Sequence, residues 1–243
     1  MVAFDFEISP KEKYRAEERA ALDAHKADIT GVSFSVSEGS GIYVPLRHRI
    51  GRSIAKLEAV MEYLRQAVFE NTAVVKVAHN LAFESMFLYA IDTVVQPPCY
   101  DTIAAAQLTL KSYTLFRGLS DSGLKTLVPQ LFKVELPDFM TVTGGRFFDE
   151  LNPQDGETVR YACADSDYAL RLYHLFNGDV YKRQGRNRSP AGGSLSDRCR
   201  HTRNGLAAAM ACRKTASCRC QNRRSPGYFC SWRTSAALGG SPS

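Results

Sequence analysis

The sequence predicts an α/β domain in which a mixed sheet is flanked by helices. Three observations support this class. Short β-prone segments come first along the chain, apolar stripes with helical spacing follow, and a further buried strand lies between the predicted helices. Strands first, and then strands and helices in alternation, are typical of layered α/β domains. The chain of 243 residues is long enough for such a core.

Three strands are predicted within the first 46 residues. Residues 2–8 (VAFDFEI) are β-prone and carry two carboxylates two positions apart. Residues 11–28 are polar and charged, which indicates a long loop or an exposed helix. Residues 29–36 and 41–46 are two further strands joined by Ser-Glu-Gly-Ser, a sequence typical of a hairpin.

The rest of the domain is predicted to be mainly helical. The first helix is expected to begin at a Ser53 cap. Its apolar stripe consists of Ile54, Leu57, Val60, Met61, Leu64 and Val68. A buried strand follows at residues 73–78, and residues 136–153 are rich in loops. The remaining predicted helices cover residues 81–90, 102–110, 124–131 and 157–176.

Charge and composition divide the chain near residue 178. Residues 1–178 hold 18 Lys and Arg against 23 Asp and Glu, a net charge of −5, whereas residues 179–243 hold 13 against 2, a net charge of +11. The overall +6 therefore comes from the tail. Because the tail is rich in Arg, Ser, Gly and Cys and has few large aliphatic residues, we expect it to be disordered.

The junction at residues 179–184 (DVYKRQ) also indicates a boundary. It resembles the translation of the transposon-end adapter used to prepare sequencing libraries. We therefore expect residues 179–243 to be non-native or disordered and outside the folded domain, residues 1–178. A natural disordered basic tail is the alternative. The tail cysteines match no paired C-x₂-C zinc framework.

The first 178 residues have the features of a cytoplasmic protein with no membrane partner. Cys99 and Cys163 are their only cysteines, which argues against a disulfide framework. No apolar run approaches the roughly 18 residues of a membrane span. The N-terminus also lacks the charged and apolar regions of a signal peptide.

Asp5 and Glu7 form the first motif that carries chemistry. Residues i and i+2 of a strand point to the same face, so both carboxylates project together. On a buried strand they repel each other unless a cation neutralises them. Oxygen ligands of this kind favour Mg²⁺ or Mn²⁺. Taken alone, the motif is also compatible with a solvated strand edge.

Two further motifs contain acids. In HNLAFE, Asn80 lies at the predicted start of a helix and Glu84 lies one turn later, which also fits a plain helix cap with an acid in the first turn. In YACAD, Tyr161 and Asp165 are four residues apart and therefore share one helix face. A half-buried tyrosine beside a surface acid would give the same pattern.

Together, and in this order, the three motifs resemble those of the DEDD exonuclease superfamily, tyrosine subclass. The resemblance is to the 3′→5′ proofreading exonuclease domain of family A DNA polymerases, the DNA polymerase I type. It implies a ribonuclease H-like fold and hydrolysis of phosphodiester bonds at DNA 3′ ends, in replication and repair. It extends over residues 2–176, through VAFDFE, ITGVSFSVSEGSGIYVPL, VVKVAHNLAFE, YDTIAAAQL, GLKTL and YACADSDYALRLY.

The resemblance also implies two divalent metal ions, Mg²⁺ or Mn²⁺. Asp5 and Asp165 would hold them directly, Glu7 would assist, and Tyr161 with Glu7 would orient the attacking water. Glu84 stands where the family usually has aspartate, and would hold the outer metal through water. Because glutamate keeps the charge but adds a methylene group, we expect activity to survive at an equal or lower rate.

Five residues are candidates for substrate binding. The positions of Ile8, Asn80 and Phe83 match family positions near the terminal nucleotide, although core packing explains Phe83 equally well. Arg117 is a candidate phosphate contact and Phe139 a candidate stacking residue. The implied partners are a single-stranded DNA 3′ end and a covalently linked polymerase domain beginning near residue 180. An acidic domain would supply little phosphate affinity of its own.

Two other functions are compatible with the sequence. One is a catalytically weak or inactive nucleic-acid-binding module, suggested by Glu84. The other is a 3′ exoribonuclease of the ribonuclease D type, which shares the carboxylate chemistry. Binding of single strands without metal-dependent cleavage would favour the first, and a preference for RNA would favour the second.

Overall fold

The computed structural model describes residues 1–110 and 122–186, and two short strands further along the chain. In this part of the chain seven strands form one sheet, in the order β5-β4-β1-β2-β3-β7-β6. β4 pairs in parallel with β1 and β5, and the other pairs are antiparallel, so the sheet is mixed as predicted. The strands are β1 (Val2–Pro10), β2 (Ala27–Ser35), β3 (Ser40–Pro45), β4 (Lys76–Ala78), β5 (Cys99–Asp101), β6 (Ala216–Arg219) and β7 (Cys230–Thr234).

Each predicted helix is present, with shifts of up to four residues at its start and, for the last helix, an end ten residues later than predicted. The predicted loop regions hold only a five-residue helix and short 3-10 turns, at Glu12–Tyr14, Ala20–Leu22 and Phe148–Glu150. The helix α1 continues into a π-helical turn over Arg65–Phe69. The helices are α1 (Leu57–Leu64), α2 (Leu81–Tyr89), α3 (Thr102–Leu110), α4 (Leu124–Phe132), α5 (Phe139–Thr143) and α6 (Gly156–Arg186).

The prediction that Ser53 caps the first helix is wrong. The helix begins at Leu57, and its N-cap residue Lys56 makes no side-chain cap bond. Ser53 Oγ instead accepts a hydrogen bond from the backbone N–H of His48 at 2.8 Å. Serine side chains bond backbone groups in turns as readily as at helix starts, and here the nearby turn contains the available donor. The predicted apolar stripe itself packs into the core.

Alternation along β1 separates the apolar core from the acids. Phe6 points into an apolar cluster shared with α1 and α2. Ala3, on the opposite face, packs in a second cluster with Leu170 of α6. Because side chains alternate along a strand, Asp5 and Glu7 share the face of Ala3 and are directed toward α6. The fold therefore places the first acidic motif against the helix that carries the third.

A buried acid fixes α6 against the β2–β3 turn. Asp167 accepts hydrogen bonds from the backbone N–H of Gly39 at 2.7 Å and from Arg171 Nε at 3.0 Å. Arg171 also lies 3.8 Å from a carboxylate oxygen of Glu38 in the same turn. These contacts give Asp167 a structural role and hold α6 in place two residues from Asp165.

Part of the predicted tail joins the sheet. Helix α6 extends to Arg186, past the predicted boundary at residue 178. β7 pairs with β3, whose outer edge offers backbone groups for pairing, and β6 pairs with β7. The remainder of residues 187–243 lies outside the described residues, and the domain boundary stays a prediction. Among the described helices, none combines the length and apolar character needed to cross a bilayer.

Candidate active site

Asp5 and Glu7 lie next to each other on the α6 face of β1, as predicted. Across the antiparallel pair, Asp5 is opposite Ser33 and Glu7 is opposite Gly31. A bulge follows Glu7 and interrupts the alternation before Ile8. Glu7 is only 7% exposed, whereas Asp5 is half-buried. The strand thus directs two carboxylates into a largely buried space.

Tyr161 and Asp165 occupy one face of α6, one turn apart. The charge of Asp165 raises the pKa of Glu7, and the charge of Glu7 raises the pKa of Tyr161. The helix and β1 therefore lie close together at this point. The Tyr161 ring packs against Phe148 and Phe139, with centroid separations of 5.8 and 6.1 Å. The Asp165 side chain keeps 17% of its surface exposed. The first and third motifs are therefore adjacent.

Glu84 reaches the same space from α2. Its side chain is 3% exposed, and its carboxylate accepts a hydrogen bond from the backbone N–H of Phe6. β4 pairs with β1 only at Val2 and Ala3, so the backbone of β1 beyond this pairing is available to the helix. Glu84 therefore lies beside Asp5 and Glu7, and three elements contribute acids to one site.

Burial and neighbouring acids shift the pKa of three of the site acids. Burial is the main cause that raises the pKa of Asp5 and of Glu7 well above the ordinary carboxyl value, and neighbouring acids raise each further. The pKa of Glu84 is raised in the same way, by burial and then by Asp5 and Glu7. Burial and the nearby carboxylates also raise the pKa of Tyr161, so its hydroxyl keeps its proton.

Lys125 is a site residue that the sequence analysis did not identify. It projects from α4, and its Nζ lies 2.9 Å from Asp165 Oδ1 and 4.7 Å from the centroid of the Tyr161 ring. Its charge lowers the pKa of Asp5 and of Glu7, against the effect of burial. The signal was present in the GLKTL segment, where a lysine follows the buried Leu124.

Asp101 is a second residue that was missed. Its carboxylate accepts hydrogen bonds from the backbone N–H groups of Asn80 (3.1 Å) and Leu81 (3.0 Å) at the start of α2. Asn80 occupies the N-cap position with a left-handed backbone (φ 76°) and makes no side-chain cap bond. The cap therefore comes from the end of β5, and it sets the direction of the helix that carries Glu84.

The candidate substrate residues have different surroundings. Phe139 is 38% exposed beside Tyr161, at the edge of the site. Phe83 is half-buried and its ring contacts Phe87 at a centroid distance of 5.0 Å, so core packing accounts for at least part of its role. Ile8 also packs against the core, and Asn80 is exposed. Arg117 lies outside the described residues.

The donors at this site fit a hard divalent cation. Glu7 Oε1 and Glu84 Oε2 are buried and have no hydrogen-bond partner among the described residues. As the side chains stand, no three His, Cys, Asp or Glu residues in the described ranges converge closely enough to hold one ion. Like charges keep carboxylates apart, and Lys125 takes one oxygen of Asp165. All four ligand candidates are oxygen donors, which suit Mg²⁺ or Mn²⁺.

Comparison with known proteins gives the family. A model described as 3′-5′ exonuclease, of the DNA polymerase A type, matches residues 1–180. The chain belongs to this exonuclease family. The match contains all three acidic motifs, and the DNA polymerase I type of the resemblance is confirmed. Within the family, the roles of the individual site residues remain predictions.

A curated relative and two solved structures extend this result. DNA polymerase I of Pseudomonas aeruginosa is 27% identical over 164 residues, which are 64% of this chain and 17% of that protein. Brucella melitensis NrnC with bound Mg²⁺ is 18% identical, with a TM-score of 0.51 over 76% of this chain and 75% of that chain. NrnC bound to pGG is 19% identical, with a TM-score of 0.52 over 76% and 74%. These structural likenesses bear out the predicted ribonuclease H-like fold.

Proposed function

We propose that this exonuclease domain is an active, metal-dependent 3′→5′ exodeoxyribonuclease, the proofreading part of a family A DNA polymerase. The observation that carries the proposal is that β1, α2 and α6 direct four acids toward one largely buried space. Two of their buried oxygens lack a hydrogen-bond partner among the described residues. Such a cluster is unfavourable for folding, so a functional role explains why it exists.

The positions of these residues support the roles that we propose for them. Asp5 and Asp165 would hold Mg²⁺ or Mn²⁺ directly, with Glu7 assisting and Glu84 at the outer position. When bound, two such ions activate a water molecule and stabilise charge on the attacking and leaving oxygens. Tyr161, whose pKa is raised, keeps a hydroxyl proton that can donate a hydrogen bond to the attacking water. Glu7, on the same side of β1, would accept from that water.

The family supports DNA as the substrate class. The curated relative is a DNA polymerase I, but this chain spans only 17% of its length, so the linked polymerase domain is itself part of the proposal. The 3′ end of a single strand would enter past Phe139, whose exposed ring can stack on a base. Cys99 and Cys163 form no disulfide among the described residues, which is compatible with the cytoplasm, the location that we propose.

A second candidate function is cleavage of RNA or of very short oligonucleotides. The observation that favours it is the similarity in fold to NrnC, one structure of which holds pGG. The carboxylate chemistry would be the same for both substrates. The difference would lie in the contacts to the sugar and to the bases.

The test is a cleavage assay with a 5′-labelled single-stranded DNA, a matched RNA and pGG, in Mg²⁺, in Mn²⁺ and in EDTA. We expect stepwise shortening of DNA from the 3′ end, which EDTA and Asp5→Asn abolish. Asp92→Asn is the matched control, because Asp92 is exposed and asparagine tolerates its positive φ. Strand binding without cleavage would contradict the active-enzyme proposal, and faster cleavage of RNA or pGG would favour the second candidate.

A further inference from the structure

Lys125 is the one cation, among the described residues, that forms an ion pair with any of the four site acids. It comes from α4, an element that supplies none of those acids. The ammonium group lies between two residues of α6, with Asp165 Oδ1 at 2.9 Å and the face of the Tyr161 ring at 4.7 Å. The aromatic face attracts a cation, so the side chain has a second reason to stay at this position.

The surroundings of Lys125 differ from those of a buried structural ion pair. Its side chain is 44% exposed, whereas the Asp165 side chain is 17% exposed. The ammonium therefore lies at the mouth of the site, at the end of a flexible four-carbon stem. An exposed pair of this kind contributes little to folding stability. The position of the lysine needs another explanation.

The charges of the site suggest that explanation. Four carboxylates and one ammonium give a net charge of −3 when all are ionised. Two divalent cations would change this to +1, which complements the single negative charge of a phosphodiester. Ions bound to Asp165 would also compete with Lys125 for its carboxylate. The ammonium would then remain beside Tyr161 with its donors free for another oxygen.

We propose that Lys125 is a catalytic residue that binds the scissile phosphate of the substrate. This inference rests on the proposed nuclease function and deepens it. Nζ would donate a hydrogen bond to a non-bridging phosphate oxygen, on the side of the site formed by α4. No proton is transferred, and the lysine stays charged throughout. The ammonium stabilises the negative charge that develops on the phosphate oxygens as the water attacks. The site is largely buried, so solvent screens this interaction only weakly.

The test compares Lys125→Ala and Lys125→Arg with the parent under single-turnover conditions at saturating Mg²⁺. We expect Lys125→Ala to slow cleavage by about 10²-fold, the lower end of what loss of one donor to a developing oxyanion costs. Lys125→Arg should recover part of this loss. Lys56→Ala is the matched control, because it removes the same charge from an exposed lysine at the N-cap of another helix, where the side chain makes no cap bond, and should match the parent.

Binding supplies a readout that does not depend on cleavage. The affinity for a labelled single strand is measured in Ca²⁺ over a range of salt concentrations. Loss of one phosphate contact should make the slope of log affinity against log salt shallower by about 0.7 in Lys125→Ala and leave it unchanged in Lys56→Ala.

Three outcomes are distinguishable. An active parent with a slow Lys125→Ala variant and a shallower salt slope supports the proposal. An active parent whose Lys125→Ala variant keeps its rate at saturating Mg²⁺, and only requires less metal, overturns it, because the lysine would then be a counter-ion of Asp165 alone. A parent that cleaves neither DNA, RNA nor pGG would contradict the nuclease function on which the proposal rests.

Discussion

Glu7 on β1 and Gly31 on β2 are direct partners across the antiparallel pair. The side chain of Tyr43, from β3, lies over Gly31, and a β-carbon at that glycine would overlap the hydroxyl end of the ring. The Tyr43 hydroxyl lies 2.8 Å from His48 Nε2, and His48 Nδ1 lies 2.8 Å from the carbonyl oxygen of Leu151. A neutral His48 that donates from Nδ1 therefore accepts from Tyr43, which fixes the ring beside the active site.

The glycine is predicted to be needed for this arrangement. We expect Gly31→Ala to destabilise the protein by about 1–3 kcal/mol, the usual cost of inserting a group into a packed core. Urea denaturation of the metal-free protein measures the change. In a Tyr43→Leu background the same substitution should cost less, because the overlapping atoms are gone. An equal cost in both backgrounds would contradict the steric explanation.

The acid cluster is predicted to reduce stability in the absence of metal. Asp5 and Asp165 both disfavour the charge on Glu7, so at a pH above the raised pKa of Glu7 we expect the metal-free Glu7→Gln variant to be more stable by about 1 kcal/mol. Cleavage should fall by at least roughly 10²-fold, because an oxygen ligand is replaced by an amide. Glu135→Gln, at an exposed position, should change neither quantity. A Glu7→Gln variant less stable than the parent would show that repulsion is not the dominant effect.

Stability is predicted to depend on pH and metal together. Burial raises the pKa of Asp5, Glu7 and Glu84, so between the ordinary carboxyl pKa and these raised values the folded state holds protons that the unfolded chain releases. The resulting stabilisation is complete below the ordinary pKa and is lost as pH rises through the raised values. Lys125 partly offsets the shift, and Tyr161 stays neutral.

A divalent cation should replace those protons and reverse the loss. We therefore expect the difference in Tm between Mg²⁺ and EDTA to widen as pH rises from about 5 to about 9. Groups elsewhere in the protein cancel in this difference. A difference that stays constant, or shrinks, over this range would be inconsistent with metal binding by the raised-pKa acids.

Local spacing was sufficient to predict one part of the site. Asp5 and Glu7 share a face because strand side chains alternate, and Tyr161 and Asp165 share one because four residues make slightly more than one helical turn. Both relationships are set within five residues of chain. The pairing of β2 with β3 followed from the same kind of information, since a short turn joins these two predicted strands.

Contacts between distant segments could not be predicted in this way. Lys125 meets Asp165 across 40 residues, and Asp101 caps α2 across 20 residues. No periodicity in either segment indicates its partner. The Ser53 cap failed for a related reason, because a backbone donor in the preceding turn, at His48, binds the hydroxyl first. The helix start and the His48 N–H were both possible partners for the Ser53 hydroxyl, and the backbone geometry that decides between them cannot be read from the sequence.

Glu84 is predicted to be better suited to this site than the aspartate usual in the family. One of its oxygens accepts from the backbone N–H of Phe6, and Oε2 has no partner among the described residues. An aspartate, shorter by one methylene, would not keep the bond to Phe6 and also place its second oxygen where Glu84 Oε2 lies, unless α2 shifted. We expect Glu84→Asp to raise the Mg²⁺ concentration for half-maximal cleavage several-fold, measured by metal titration of the rate. Faster cleavage by Glu84→Asp at every metal concentration would refute this fit.

Phe139 is predicted to bind a base of the substrate rather than to stabilise the fold. It is 38% exposed and its ring stands edge-on to Tyr161, at a centroid distance of 6.1 Å. Stacking on one base contributes about 1–3 kcal/mol, so Phe139→Ala should raise KM for single strands by roughly 5-fold or more and change Tm little. Met140→Ala is the matched control, because Met140 is 61% exposed on the same short helix. If both variants raise KM equally, or if Phe139→Ala lowers Tm by several degrees while KM is unchanged, the ring supports α5 and does not bind the substrate.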